Sequence, residues 1–375
     1  MFKTSLNVCM IVKNEADNLK QTLPSLVAGC SRVIVVDTGS TDDTKETAKA
    51  LGAEVFDYEW SNDFSAARNN SIAHADSDWI AWFDADELIE EQDLKKLRDH
   101  LDRTAADTVH IVVKECPYGT KEAYNSYYRD KVFRNNKGFQ FTRPINEQVS
   151  APSDSMPEAE KYDGVSLYHW GRNLPEEKMK NKNAERARLF EKVSENNPSD
   201  PVYLLLLGMR YLDLERFVEA EETFNKVISV CSTGMGLAKF IREGAHLGKA
   251  WTAFRFQDHE KAAGEAMLAI ECNADNTEGY CIAAGSLLSM GRMQEAFALL
   301  EKAVSLPKKQ HPVLPSNDLC WNVMRHLFYA NCLVSEKRYS EAIPHLETVK
   351  SFQPENESAS QLLGLLKKEV EQCRA

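Results

Sequence analysis

An apolar run of strand length, residues 79–83 (WIAWF), ends in a dense group of carboxylates. Asp84, Asp86 and Glu87 follow it within four residues, so their charges lie close together. Such carboxylates repel one another unless a cation or a strong hydrogen-bond donor lies among them. Oxygen ligands suit Mg²⁺ or Mn²⁺, which also take phosphate oxygens. The pattern predicts a site at the end of a buried strand; the alternative is a solvated turn before a helix.

The same arrangement of an apolar strand followed by polar residues occurs twice earlier in the chain. Leu6–Val12 is followed by Asn14 and Glu15, and the apolar strand Arg32–Asp37 itself ends on an acid. Helical patterns separate these strands, and this alternation predicts an α/β domain with a mostly parallel, Rossmann-like sheet. Ligands of such sheets bind beyond the carboxyl ends of the strands. We therefore expect the polar residues to meet at one site.

Arg68 is a further candidate for this site. It lies on a predicted helix between the third and fourth strands, where its guanidinium would neutralise phosphate. In this arrangement the first two loops would hold a nucleotide. A cation bound by the carboxylates would bridge the diphosphate of that nucleotide. The alternative for Arg68 is an ordinary position on a helix surface.

Four separated motifs resemble glycosyltransferase family 2, whose catalytic domain has the GT-A fold. In chain order they are residues 9–15 (CMIVKNE), 35–42 (VVDTGSTD), 67–69 (ARN) and 82–87 (WFDADE). The resemblance covers roughly residues 4–172 and implies a GT-A catalytic domain at residues 1–173. Members of the family use nucleotide sugars, most often UDP-sugars, and typically invert the anomeric centre.

The resemblance implies a role for each matching residue. Asp37 would contact the nucleobase, and Asp84 and Asp86 would be the Asp-x-Asp pair that meets the donor ribose and Mn²⁺ or Mg²⁺. Arg68 would contact the uridine or the diphosphate. The residues implied to bind the donor are Ile11, Val12, Lys13, Glu15, Asp37, Arg68, Asp84 and Asp86.

Glu147 is the candidate catalytic base, and Asp86 is the second candidate catalytic residue. Attack on an anomeric carbon from the face opposite the leaving group needs a base for the acceptor proton. Relatives of this branch are expected to carry Ile-His-Glu-Gln where this chain has residues 145–148 (INEQ). Asn146 therefore departs from the pattern, and the resemblance assigns a role only to Glu147. The alternative for Glu147 is an exposed loop glutamate.

The resemblance extends to residues 167–171 (LYHWG). It implies that His169 is a third metal or diphosphate ligand beside Asp84 and Asp86. A lone histidine between aromatic residues is also typical of a packed, hydrogen-bonded core position. Trp170 is expected either to stack on a sugar or to close the core.

The second half of the chain changes to a helical period after a charged segment, residues 174–197, that predicts a linker helix. The offsets of the next residues match the tetratricopeptide pattern, and they are Leu207, Gly208, Tyr211, Ala220 and Phe224. Equivalent small alanines are predicted at Ala263, Ala296 and Ala342, with separations of 43, 33 and 46 residues. The expected period is about 34, so we predict insertions near residues 231–239 and 307–318.

Residues 198–375 therefore resemble a tetratricopeptide array of about four units, with a capping helix at residues 358–372. Such arrays present a concave surface to a peptide or protein. The alternative is an array that only covers the flank of the enzyme or forms a homodimer.

Composition excludes several classes of protein. The 45 basic and 57 acidic residues give a net charge of −12, which argues against a general binder of nucleic acid or anionic membranes. The nine cysteines show no zinc-like spacing, which predicts reduced thiols. The sequence has no signal-peptide core and no apolar run of the roughly 20 residues that a membrane helix needs. We expect a cytoplasmic protein without an integral membrane segment.

Together these features predict a metal-dependent bacterial glycosyltransferase whose repeats recruit a peptide or protein acceptor, with Ser, Thr or Cys as the modified residue. Bacterial relatives of this two-part layout include enzymes that glycosylate peptides. One alternative is a transferase that extends a cell-envelope or lipid-linked glycan. An alternative of another class is an inactive transferase that acts as an interaction scaffold, which predicts loss of the Asp-x-Asp pair or of the base. A nucleotidyltransferase is disfavoured because no glycine- and arginine-rich loop follows the first strand.

Overall fold

The computed structural model describes residues 3–152, 157–171, 176–232, 235–307 and 319–372. The chain divides into two compact units, Met1–Met179 and Lys180–Ala375. The predicted domain boundaries, 1–173, 174–197 and 198–375, stay predictions, and residues 172–175 lie outside the described residues. Within the described ranges, no helix combines the length and the apolar character needed to cross a membrane.

The first unit alternates strands with helices. Its strands are β1 (Leu6–Val12), β2 (Arg32–Asp37), β3 (Glu54–Asp57), β4 (Trp79–Trp82), β5 (Glu87–Ile89), β6 (Thr108–Glu115), β7 (Asn125–Arg134), β8 (Gln140–Thr142), β9 (Gln148–Ser150) and β10 (Ala159–His169). Its helices are α1 (Ala16–Gly29), α2 (Thr44–Ala50), α3 (Phe64–Ala73) and α4 (Glu91–Leu101). The boundaries of β1 and β2 agree with the apolar runs of the sequence.

Eight strands form one sheet in the order β3-β2-β1-β4-β7-β6-β10-β5. The neighbours β3, β2, β1 and β4 are parallel, as are β6 and β10, while β7 and β5 run antiparallel to their neighbours. Strands β8 and β9 pair in a separate hairpin. The predicted mostly parallel α/β architecture is confirmed.

The central strands are buried on both faces, which explains their nearly continuous apolar sequence. In β1, Val8 and Met10 belong to one core, while Cys9 on the opposite face packs with Ile34 and Trp82. Because both faces of these strands are covered, the strand ends are where side chains can remain accessible to a ligand. Polar residues there are available for binding.

The second unit is helical throughout its described residues. Its helices are α5 (Glu176–Asn196, which begins just before the division), α6 (Pro201–Asp213), α7 (Phe217–Val230), α8 (Leu237–Arg255), α9 (His259–Cys272), α10 (Thr277–Ser289), α11 (Met293–Ser305), α12 (Arg325–Ser335), α13 (Tyr339–Phe352) and α14 (Glu357–Gln372). A π-helical turn, Cys320–Met324, precedes α12. Helices α6 to α13 form four successive pairs, and α14 is the predicted capping helix.

The second helix of each pair carries a fully buried alanine as its fourth residue. These residues are Ala220, Ala262, Ala296 and Ala342. The predicted position Ala263 is wrong, because Ala263 is only half-buried and Ala262 takes the packed place. The separations become 42, 34 and 46 residues, so the two longer connections stay where they were predicted. Residues 233–234 and 308–318 in these connections lie outside the described residues.

Two glycines let the first pairs of helices approach each other around Phe224. A methyl group on Gly248 would lie 2.3 Å from the Phe224 ring, and one on Gly208 would lie 2.5 Å from it. We expect Gly248→Ala to destabilise the second unit by about 1–3 kcal/mol, because overpacking forces the ring or backbone to move.

Chemical unfolding followed by circular dichroism measures this effect. Gly264→Ala is the matched control, since Gly264 lies inside α9 with nothing within 4 Å of an added methyl group. That change is expected to stabilise the helix by about 0.5–1 kcal/mol. Equal effects of the two substitutions would contradict the packing role of Gly248.

Two histidines face each other between α12 and α13, with His326 Nδ1 2.8 Å from His345 Nδ1. Only one of the facing nitrogens can carry a proton, since two N–H groups would clash. Burial, with Arg325 and His345 adding to it, lowers the pKa of His326 to about 4. Burial and Arg325 also lower the pKa of His345, and Glu341 opposes this.

Because the folded pKa of His326 is lowered, the pair stabilises the unit fully above about pH 6.5. The contribution is lost as the pH falls from about 6.5 towards about 4. Solvent screening of the partly exposed rings leaves an expected loss of about 1–2 kcal/mol. Urea unfolding at several pH values should show a shallower acid decline in His345→Asn than in the natural protein. Parallel pH profiles would show that the pair has no such effect.

Candidate active site

The ends of β1 and β2 lie side by side, since Val12 pairs with Asp37 in the parallel register. The loops that follow these strands are joined by hydrogen bonds. The Asn14 N–H donates to Ser40 Oγ at 2.9 Å, and the Thr41 N–H donates to Asn14 Oδ1 at 2.8 Å. Asn14 has a φ of 57°, a left-handed conformation that asparagine tolerates. The two loops therefore form one rigid rim at the edge of the sheet.

Asp37 is almost completely buried at this rim, with 1% of its surface exposed. Its Oδ1 accepts hydrogen bonds from the Gly39 and Ser40 N–H groups at 3.0 and 2.9 Å. Its Oδ2 has no hydrogen-bond partner among the described residues. A buried carboxylate oxygen without a donor is costly, so this atom fits the N–H group of a bound ligand.

The other residues predicted at the first loop differ in exposure. Ile11 is half-buried, Lys13 is exposed, and Val12 is buried in the core. The Val12 carbonyl accepts from the N–H and the hydroxyl of Thr38 at 2.9 and 3.0 Å. Glu15 Oε2 accepts from Asn18 at 2.6 Å. Val12 therefore shapes the loop through its backbone.

Arg68 connects two of the predicted site residues. Its Nη2 lies 2.6 Å from Asp84 Oδ1 and its Nε lies 2.8 Å from Glu147 Oε1. The guanidinium is buried, 4.6 Å from the Trp82 ring centre and 5.6 Å from that of Phe141. Burial opposes its charge, but the two carboxylates outweigh burial and raise the pKa of Arg68. The helix-surface alternative for Arg68 is wrong.

Lys131 in β7 is a site residue that the sequence reasoning missed. Its side chain is buried, with Nζ 2.7 Å from Glu87 Oε2, 3.9 Å from Asp84 Oδ2 and 3.6 Å from the Trp82 ring centre. The available signal was a lysine directly before the apolar pair of residues 132–133 in a strand. Only the pairing of β7 with β4 shows that this lysine points at the carboxylates.

Asp84 and Glu87 have opposite electrostatic environments. For Asp84, burial opposes ionisation, but Arg68 and Lys131 outweigh it and hold the pKa of Asp84 well below its ordinary value. For Glu87, burial raises the pKa, and Lys131 only partly offsets this. Glu87 Oε2 also accepts from the Asp84 N–H at 2.9 Å. Glu87 therefore holds the backbone of Asp84 in place from a buried position.

Asp86 and His169 approach each other over Gly171. His169 Nε2 lies 3.7 Å from Asp86 Oδ1. A methyl group on Gly171 would lie 2.1 Å from Asp86 Oδ2 and 2.7 Å from His169 Nε2. The absence of a side chain at Gly171 therefore leaves room for both groups to face the same space.

The donor atoms of Asp86 and His169 fit a divalent cation with phosphate oxygens as further ligands. In the described parts of the chain, no group of three or more His, Cys, Asp or Glu side chains is arranged to hold a metal ion. Charge supports the fit, because the buried cations Arg68 and Lys131 contact three carboxylates, and a fourth carboxylate faces His169. The four carboxylates are Asp84, Asp86, Glu87 and Glu147. A divalent cation would offset negative charge at this site.

Parts of both units match families of known proteins. Residues 7–156 match the family model of glycosyl transferase family 2, and residues 277–310 match that of a tetratricopeptide repeat. Residues 7–156 therefore form a domain of the glycosyltransferase family 2 type. The predicted order, a family 2 domain followed by tetratricopeptide repeats, is confirmed.

Curated relatives share parts of this chain. A TPR repeat-containing protein of Synechococcus elongatus is 38% identical over 145 residues, 38% of this chain and 35% of the relative. The SPbeta prophage-derived glycosyltransferase SunS of Bacillus subtilis is 31% identical over 224 residues, 59% of this chain and 52% of the relative. The chain thus spans about a third and about half of the lengths of these relatives.

Among solved structures, S. aureus TarS 1–349 in complex with UDP-GlcNAc is similar with a TM-score of 0.39 and 14% identity, over 71% of this chain and 91% of that chain.

Within the first unit, Trp170 closes the core instead of offering a stacking face. The residue is 2% exposed, and its Nε1 donates to the Thr120 carbonyl at 2.8 Å. The half-exposed Tyr118 packs edge-on against it, with ring centres 5.8 Å apart. Trp170 therefore fixes the end of β10, which carries His169.

Proposed function

We propose that this protein is a metal-dependent glycosyltransferase that moves a sugar from a UDP-sugar, with inversion, onto a Ser, Thr or Cys side chain of a peptide or protein. The observation that carries this proposal is the meeting of Asp84 and Glu147 on Arg68. This contact brings the Asp-x-Asp motif and the candidate base to one point beyond the ends of the parallel strands, where ligands of such sheets bind.

The donor would be bound by the residues at this edge. The unsatisfied Oδ2 of Asp37 suits an N–H of the nucleobase, and Ile11 and Lys13 would flank the base and ribose. Asp86 and His169 would hold Mn²⁺ or Mg²⁺, with Asp84 as the remaining predicted ligand. A divalent ion bound there supplies stabilisation of the negative charge on the leaving diphosphate.

Glu147 would take the proton from the acceptor. As the nucleophilic oxygen or sulfur bonds to the anomeric carbon, its proton passes to a Glu147 oxygen and the bond to the diphosphate breaks. The Glu147 side chain is 14% exposed, and Arg68 holds it in place from the buried side. One oxygen of the carboxylate is thus positioned while the side chain still reaches the surface of the site.

The helical unit would recruit the acceptor. Tandem helix pairs of the tetratricopeptide type bind peptides and proteins, and residues 277–310 match such a repeat. No disulfide forms among the cysteines of the described ranges, which supports the cytoplasm as the place of action.

A panel of nucleotide sugars tests the proposal. Binding and slow hydrolysis of each donor by the full chain are measured with Mn²⁺, with Mg²⁺ and with chelator. We expect metal-dependent binding of one UDP-sugar, which then serves as the labelled donor against peptide and glycan acceptors. Transfer to a lipid-linked glycan instead of a peptide would support the envelope alternative. If the protein binds none of the donors, the scaffold alternative would be favoured.

A further inference from the structure

Asn69 binds the backbone of a distant segment through both ends of its side-chain amide. Its Nδ2 donates to the Phe141 carbonyl at 2.9 Å, and its Oδ1 accepts from the Phe141 N–H at 2.8 Å. This pair reproduces the two hydrogen bonds that one strand residue exchanges with another. Asn69 directly follows Arg68 on α3, so two consecutive helix residues bind the same segment.

The segment held in this way, residues 141–147, ends at the candidate base. The Phe64 N–H at the start of α3 donates to the Pro144 carbonyl at 2.8 Å. Ile145 is buried, with 5% of its surface exposed. Arg68 then takes the carboxylate at the end of the segment. One short helix therefore contacts the segment at its beginning, middle and end.

The same segment contains two residues in the left-handed backbone region. Arg143 has a φ of 74° and Asn146 a φ of 57°. A left-handed conformation is unfavourable for a residue such as arginine and persists only where surrounding contacts enforce it. The contacts with α3 and the pairing of β8 with β9 both hold the segment, and Asn69 makes two of the contacts with α3.

We propose that Asn69 is a positioning residue that holds residues 141–147 on α3, so that Glu147 is presented for proton transfer. The proposal rests on the proposed function, because it assigns Asn69 a role through the base of that reaction. Glu147 does not contact Asn69 in the interactions described, so the effect passes through the backbone of the segment. Asn69 is therefore expected to affect turnover, whereas residues that bind the donor would also affect its Kd.

The test compares Asn69→Ala with a matched control, Asn135→Ala. Asn135 is also half-buried, and its Nδ2 donates to the Ala75 and Ser77 carbonyls at 3.2 and 2.9 Å. We expect Asn69→Ala to lower kcat about 10- to 100-fold, the scale of a misplaced catalytic group, with an unchanged donor Kd. Asn135→Ala should keep the natural kcat. An unchanged kcat in Asn69→Ala, or an equal loss in both variants, would overturn the proposal.

Amide hydrogen exchange gives a readout that does not need turnover. Peptides covering residues 141–147 should exchange faster in Asn69→Ala than in the natural protein, while peptides of β1 and β2 remain unchanged. If the natural protein transfers no sugar, the proposed function fails. Faster exchange in Asn69→Ala would still support the role of Asn69 in holding residues 141–147 on α3. Unchanged exchange of residues 141–147 in Asn69→Ala would overturn the role of Asn69 in holding this segment, whatever the activity of the variant. If the alanine variant does not fold, Asn69→Asp, which keeps the acceptor for the Phe141 N–H, is expected to change exchange and kcat in the same directions.

Discussion

Glu147→Gln is expected to lower the turnover of sugar transfer by about 10²- to 10⁴-fold, the range for loss of a general base. Glutamine is close in size and can still accept from Arg68 Nε, which lies 2.8 Å from the carboxylate in the natural protein. It has no basic oxygen to receive the acceptor proton. Turnover is measured with the identified UDP-sugar, with water as the acceptor until a peptide is found. Donor binding is measured by calorimetry and should be unchanged.

The control for this variant is Glu158→Gln, since Glu158 is an exposed carboxylate outside the site. Its turnover should equal that of the natural protein. Thermal unfolding shows whether the Arg68 contacts survive in Glu147→Gln, because Arg68 also keeps its contact with Asp84 at 2.6 Å. Natural turnover in Glu147→Gln would remove Glu147 as the base.

Asp86→Ala is expected to lower metal-dependent turnover by about 10²- to 10³-fold, because several kcal/mol of stabilisation of the leaving group is lost. The change removes the carboxylate that faces His169 over Gly171. The contacts of Arg68 with Asp84 and Glu147 remain, so the fold should be intact. Mn²⁺ binding, followed by electron paramagnetic resonance in the presence of UDP, should weaken together with turnover.

Asp57→Ala is the matched control for the metal. Asp57 ends β3 at the same edge of the sheet and pairs with Lys45 at 3.1 Å, but its side chain is exposed. Its loss should change neither Mn²⁺ binding nor turnover. Activity like that of the natural protein in Asp86→Ala would contradict the assignment of the metal site.

The strands and the polar residues at their ends could be predicted from the sequence alone. Apolar runs buried on both faces leave a local pattern, and the boundaries of β1 and β2 agree with it. The acid Asp37 ends β2, and Asp84 and Asp86 follow β4 within four residues, so a rule about parallel sheets places them at one edge. The tetratricopeptide period is likewise local, although burial was needed to choose Ala262 over Ala263.

The partners of the charged residues were decided by the tertiary structure. Arg68 and Glu147 are 79 residues apart, and Lys131 and Glu87 are 44 apart, so no local pattern relates them. Their pairing depends on which strand lies next to β4 and on the left-handed turns before Glu147. An ion pair adds no periodicity to a sequence, because its energy depends on distance and burial and not on separation along the chain. The sequence by itself thus determined which groups stand at the edge of the sheet, and the tertiary structure decided which of them meet.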